Sequence, residues 1–404
     1  MIVRARTVVT MNGPPIDNGA VEITGDRITE VGSFDQVRRS HTGEVLDLGE
    51  QILLPGLINA HCHLDYTGLR GQIKATDSFV EWIRAINAAK QKLSRRDYVT
   101  SIENGLTEAL RFGTTSMVNF EAFPDLAAEV ETPVRIWWLG ELLDVRSPQS
   151  AHDFVDSAIQ TLKSRKHWGL APHAPFTGSK SLYRRCQEVA FNTAIILSTH
   201  LAESDEEMEM FRDGSGPLFE FLQSIGRNMD DCGKTTPLSV FLDILNSGRP
   251  NEPSQWLVVH LNELSATDLK LLAGHKFHVV HCPRSHGYFG HHPFRYQQLR
   301  DLGFNICLGT DSLASNENLN LFAEMRAVSE SHRDISYRDI VEMVTINPAR
   351  ALHQESQLGR IQPGSYADLI AIRDSRKNDA FESIIAHRSF VNWSMIGGIS
   401  RPPS

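Results

Sequence analysis

"LPGLINAHCHLDYTG", residues 53–67, is the stretch on which the reading of this chain turns. Just past Pro55 and Gly56, an apolar run ends in two histidines, His61 and His63, one residue apart. In a regular strand positions i and i+2 face the same side, so both imidazoles can reach one ion. Two ordinary surface histidines would leave the same letters, and the pair alone does not choose.

The chain around it supplies the context. From about Gly56 to Leu352, short apolar runs alternate with longer segments of helical period, among them "TTSMVNF", "PVRIWWLGE", "WGLAPHAP", "TAIILSTH", "WLVVHL", "FHVVHCP" and "NICLGTD". Strands alternating with helices predict a parallel sheet, and eight such runs, counting "ILLPGLINAH", predict an α/β fold of the (β/α)8 TIM-barrel type. The first 56 residues read as short strands separated by Gly, Pro, Asn and Asp, and the last fifty or so turn extended again. The expected division is a small β-sandwich domain from residues 1–56 and 357–404, built from both termini, around a barrel over 57–356. Residues Ser204 to Glu252 are long for one connection and are expected to form a helical insertion near the site.

Composition narrows the class of partner. With 41% apolar and 22% charged residues, the chain has the makeup of an ordinary folded protein. A formal charge of -9 with no long run of Lys or Arg offers no footprint for nucleic acid or an anionic membrane, so a small molecule is the expected partner. The five cysteines are scattered and never in CxxC spacing, which speaks for reduced thiols in a cytoplasm. "MIVRARTVVTMNG" lacks the long apolar core of a signal peptide, and no stretch is apolar enough to span a membrane. A homodimer is expected by analogy with other barrels alone.

Polar residues stand at the ends of several apolar runs. "STHLAESDEE" closes one at His200 and sets Glu203 three residues on; "VVHLNEL" closes one at His260, "VVHCPRS" at His281 and "LGTDSLAS" at Asp311. In a barrel the carboxyl ends of the parallel strands open on one face, which brings such residues together.

With these stretches the chain resembles the amidohydrolase superfamily, in its branch of metal-dependent deaminases and chlorohydrolases. "PGLINAHCHL", "THLAES", "VVHCPRS" and "LGTDSLAS" carry the resemblance, in the family's order and over nearly the whole chain. It implies one divalent metal held by His61, His63, His200 and Asp311. Three neutral imidazoles and one carboxylate leave the ion positive and open, so its water becomes acidic enough to supply hydroxide near neutral pH. Asp311 is then expected to accept the water's proton, Glu203 to carry a proton to a ring nitrogen and the leaving amine, and His260 to orient the nucleophile.

A two-metal barrel needs a bridging carboxylate or modified lysine at the fourth strand end. That place reads "GLAPHAPFTGS", with His173 and no lysine, so a single ion is expected. Zinc is the first expectation; the donor set also suits iron and manganese. His173 and His281 are expected to face substrate. Trp82, in "SFVEWI", either covers a planar ring or belongs to the core, and Arg284 either meets an anionic or carbonyl group of the substrate or pairs with a nearby carboxylate. The Asn usual in the family after "HCPxS" is His286 here, and "GHHPF" reads as a loop near the mouth.

The expected function is hydrolytic deamination of an amino-substituted aromatic heterocycle, with adenine-type nucleosides such as aminodeoxyfutalosine or S-adenosylhomocysteine favoured by the resemblance. The alternatives are a guanine, cytosine or pterin deaminase, a chlorohydrolase or cyclic amidohydrolase, and a metal-containing barrel without turnover.

Overall fold

The computed structural model describes residues 1–247, 256–375 and 379–401. The chain opens with β1 (Ile2–Val8), β2 (Ile16–Thr24), β3 (Arg27–Ser33), β4 (Val45–Asp47) and β5 (Gln51–Pro55). Then come β6 (Leu57–His63), β7 (Thr114–Glu121), β8 (Arg135–Leu142), β9 (Trp168–Pro172), β10 (Ile196–Leu201), β11 (Trp256–His260), β12 (His278–His281), β13 (Asn305–Leu308) and β14 (Asp311–Ser312). It closes with β15 (Leu369–Arg373), β16 (Trp393–Ile396) and β17 (Ile399–Arg401).

The middle set forms one sheet in the order β13-β12-β11-β10-β9-β8-β7-β6-β14, and every pair in it is parallel. Every residue of β6, β7 and β10 is buried, the pattern of strands covered on both faces. β13 and β14 are separated only by Gly309 and Thr310, yet β13 pairs with β12 at one edge and β14 with β6 at the other. The sheet therefore curls back on itself through this split last strand. Gly309 permits the closure: a Cβ there would stand 2.8 Å from both Cβ and the carbonyl oxygen of His61.

Inside the curl, every second residue of successive strands packs together, including Ile58 and Ala60, Val118 and Phe120, Leu257 and Val259. Helices cover the outer face. The predicted insertion contains helices Asp205–Asp213, Pro217–Ser224 and Pro237–Asn246, while its residues 248–252 lie outside the described residues. Among the described residues no helix is long and apolar enough to cross a membrane.

Strands from the two ends of the chain share the second sheet, in the order β17-β16-β15-β5-β1-β2-β3 with β4 beside β1. Its core mixes both ends, setting Val3, Val21 and Leu53 against Leu369, Trp393 and Met395. A bidentate ion pair fastens it to the parallel sheet: Arg135, at the start of β8, donates to the Asp368 carboxylate at 2.6 and 3.2 Å. Tyr366 lies between the guanidinium groups of Arg27 and Arg135, 3.6 and 3.7 Å from its ring centre.

Candidate active site

The carboxyl ends of the parallel strands bring together residues up to 250 positions apart. His63 and His200 place their Nε2 atoms 3.3 Å apart, and His200 and His61 place theirs 3.4 Å apart. Asp311 sets Oδ1 3.4 Å from His61 Nε2 and 3.8 Å from His63 Nε2. Donor atoms about 2.1 Å from one centre at tetrahedral angles lie about 3.4 Å apart, so this spacing is that of a metal's coordination shell. Burial, then the charge of neighbouring imidazoles, holds His63 and His200 well below the ordinary imidazole value. Both rings are therefore neutral, the form that binds metal.

Local contacts aim these groups. His200 turns Nδ1 to the His173 carbonyl at 2.9 Å, which leaves Nε2 for the shared centre. Asp311 has its Oδ2 held by the Ser285 hydroxyl at 2.7 Å while Oδ1 faces the histidines. Burial works to raise the Asp311 carboxyl, but the hydrogen bond with His61 and the neighbouring His260 and His61 hold it well below the usual carboxylate range. Cys62, between the two histidines of β6, is buried in a cluster with Leu64, Ile102 and Met117. Two of the strand ends hold strained backbone: φ is 57° at Asp311 and 74° at His260, in the left-handed region.

Beside the donors stands a second pair. Glu203 Oε1 is 3.5 Å from His260 Nε2, and both side chains are buried. Burial, reinforced by Asp311 and Glu207, pushes the Glu203 carboxyl well above its usual value, whereas burial brings His260 down to about 3. An acid that keeps its proton beside a neutral imidazole is a pair suited to proton traffic.

The remaining predicted residues divide. His173 lies against His200, ring centres 4.8 Å apart, with Nδ1 fixed by Thr177 Oγ1 at 2.7 Å. His281 is buried and stacked on Phe294 at 3.9 Å, with its Nδ1 lacking a partner. Trp82 packs on Phe79 and edge-on to Phe289 at 5.0 Å. Arg284 does not join the cluster: its guanidinium donates to Asn318 at 2.7 Å and to Glu317 at 2.6 Å, with Glu324 at 4.0 Å. Of the two readings of Arg284, the pairing one describes these contacts, because its donors are taken up by that acidic and amide group.

The amidohydrolase family model matches residues 52–392. The chain belongs to the amidohydrolase family. A 5-methylthioadenosine/S-adenosylhomocysteine deaminase of Syntrophobacter fumaroxidans is 30% identical to this amidohydrolase over 91% of the chain and 82% of the relative. Among solved structures, Helicobacter pylori aminofutalosine deaminase in complex with methylthio-coformycin superposes with a TM-score of 0.87 at 22% identity, covering 99% of each chain. An adenosine deaminase from Xanthomonas campestris with bound zinc superposes with a TM-score of 0.85 at 21% identity, covering 99% of this chain and 92% of its own.

Several residues of this amidohydrolase that shape the site were not singled out from the sequence. Ser285 is one. Asn262 is another, donating to the Glu203 carbonyl at 3.0 Å and meeting His286 Nδ1 through its own oxygen at 3.1 Å. His286, the departure from the family's Asn, thus supports the segment that carries Glu203. Glu141, at the end of β8, sets Oε1 4.0 Å from both His63 Nδ1 and His173 Nε2. The run of acids after Glu203 was the one legible signal, since Ser204 with Glu207 three residues on has the spacing of a capped helix start.

Proposed function

We propose that this amidohydrolase is a metal-dependent deaminase of adenine-type nucleosides. One observation carries the reading: three imidazole nitrogens and a carboxylate oxygen converge beside the buried Glu203–His260 pair. His61, His63, His200 and Asp311 would hold one divalent ion. When bound, that ion supplies Lewis acidity that lowers the pKa of water at the site.

The chain's own groups do the rest. Glu203 delivers its proton to the ring nitrogen beside the amino-bearing carbon, which makes that carbon electrophilic. His260 Nε2 hydrogen-bonds the attacking water and sets its approach. Asp311 Oδ1 accepts a proton from the water as the new C–O bond forms. Glu203 then takes the proton of the new hydroxyl and passes it to the amino group, the C–N bond breaks to release ammonia and leave the ring carbon as a carbonyl, and the proton held by Asp311 returns to Glu203. His173 and His281 face the heterocycle, and Trp82 covers it.

The relatives named for S-adenosylhomocysteine and aminofutalosine support an adenine-bearing substrate over guanine, cytosine or a pterin. Zinc is the proposed ion, supported by the histidine-rich donor set and by the zinc in the Xanthomonas protein. The fold reading behind this is a (β/α)8 barrel closed through the split strand β13–β14, with residues 1–56 and 357–404 as a β-sandwich beside it. The five free thiols support a cytoplasmic setting. The test is ammonia release from S-adenosylhomocysteine, 5-methylthioadenosine, adenosine, aminodeoxyfutalosine, guanine, cytosine and an aminopterin, beside elemental analysis of the protein. Ammonia from an adenine nucleoside with about one metal per chain supports the reading. Ammonia from none, or chloride from a chlorotriazine instead, overturns it.

A further inference from the structure

The segment Glu203–Glu207 reaches in two directions. Glu207 folds back, and its Oε2 accepts the backbone N–H of Glu203 at 2.8 Å, while Asn262 holds the Glu203 carbonyl at 3.0 Å. The peptide groups on either side of the proton carrier are thereby pinned. Glu206 turns the other way. Its Oε1 accepts the N–H of Phe79 at 2.9 Å and its Oε2 the N–H of Val80 at 3.0 Å. These are the first two N–H groups of the helix Phe79–Lys90, which have no partner within their own helix. A carboxylate at that end also meets the positive end of the helix dipole.

That helix is tied to other loops of the same barrel face. Trp82 packs against Phe289, beyond β12, and Lys90 at the far end sits 4.6 Å from the Tyr66 ring centre. Tyr66 in turn stacks on the His63 imidazole, ring planes 12° apart. The helix thus runs from a metal ligand's neighbour to the segment bearing Glu203, and Glu206 makes the second attachment across 127 residues of sequence.

We propose that Glu206 is a positioning residue: by gripping the start of the helix Phe79–Lys90, it makes the placement of that helix and of Glu203 a single event. A heterocycle seated under Trp82 then finds the proton carrier already aimed. Only the part of this proposal that concerns substrate rests on the deaminase reading.

Glu206→Ala and Glu206→Gln are compared with the wild type in the zinc-loaded full chain, first by amide hydrogen exchange without substrate. In Glu206→Ala, exchange should rise at least tenfold both in residues 79–90 and in 203–207, with metal content unchanged; the glutamine, which keeps one acceptor, should recover part of the protection. With S-adenosylhomocysteine as probe, Glu206→Ala should raise KM about tenfold and lower kcat as well. Faster exchange confined to residues 79–81, with 203–207 still protected, would make Glu206 a helix cap and nothing more. Wild-type exchange in both segments would also overturn the proposal. If Glu206→Ala does not fold, the same two comparisons are read from Glu206→Gln. A wild type that turns over none of the nucleosides defeats the deaminase reading, while the exchange experiment still decides whether Glu206 links the two segments.

Discussion

Ser285 donates its hydroxyl to Oδ2 of Asp311 at 2.7 Å, so the oxygen that faces the three histidines is the other one, Oδ1. The hydroxyl comes from the helix Pro283–Phe289 that follows β12 and the carboxylate from the split strand that closes the sheet. Partners of this kind set a ligand's orientation, and losing one typically costs about 10- to 100-fold in metal affinity. Ser285→Ala should therefore bind zinc about tenfold more weakly in a chelator competition, with the fold intact by circular dichroism. Unchanged affinity would show that Asp311 needs no such support.

Glu203→Gln keeps the size of the side chain and removes its proton. Turnover should fall by about 10² to 10⁴, while elemental analysis finds the same metal content. Retained turnover would remove Glu203 from the mechanism, and lost metal would make it part of the ion's shell.

In the proposed mechanism Glu203 works in its acid form, so activity should fall as pH rises through its raised pKa. Burial is the largest cause of that rise, with Asp311 and Glu207 adding to it. Glu207→Gln deletes one of these charges and should move the alkaline limb of kcat/KM to lower pH. A limb that stays in place or moves upward would assign it to another group.

The joint between the two sheets rests on a buried pair. Arg135 and Asp368 have side chains only 13% and 4% exposed, and Asp368 Oδ1 also accepts the Gly397 N–H at 2.7 Å. Removing one partner of such a pair strands the other charge, at a cost of about 3 kcal/mol. Asp368→Ala should accordingly lower the urea midpoint. Arg95→Ala should leave it in place, because the Arg95 pair with Glu129 lies in water.

Much of this cluster of polar groups was legible from letters alone, for a physical reason. A parallel strand buried on both faces reads as an apolar run, and a polar residue at its carboxyl end stands out against that run, as His61, His63, His200, His260 and Asp311 do. Arg284 shows the limit of that method. "HCPRS" places it one turn from the site, but which way a guanidinium points depends on Glu317, Asn318 and Glu324, more than thirty residues on.

The sequence by itself determined the alternation of strand and helix, the set of imidazoles and carboxylates able to share an ion, and the placing of an acid three residues after His200, because each follows from local pattern and side-chain chemistry. Only the tertiary structure decided that the last strand splits at Gly309 to close the sheet, that Ser285 turns Asp311, and that Glu206 grips a helix 127 residues earlier in the chain. Those contacts depend on how distant segments approach in space, and a hydroxyl or carboxylate carries no mark in sequence of the donor or acceptor it will meet.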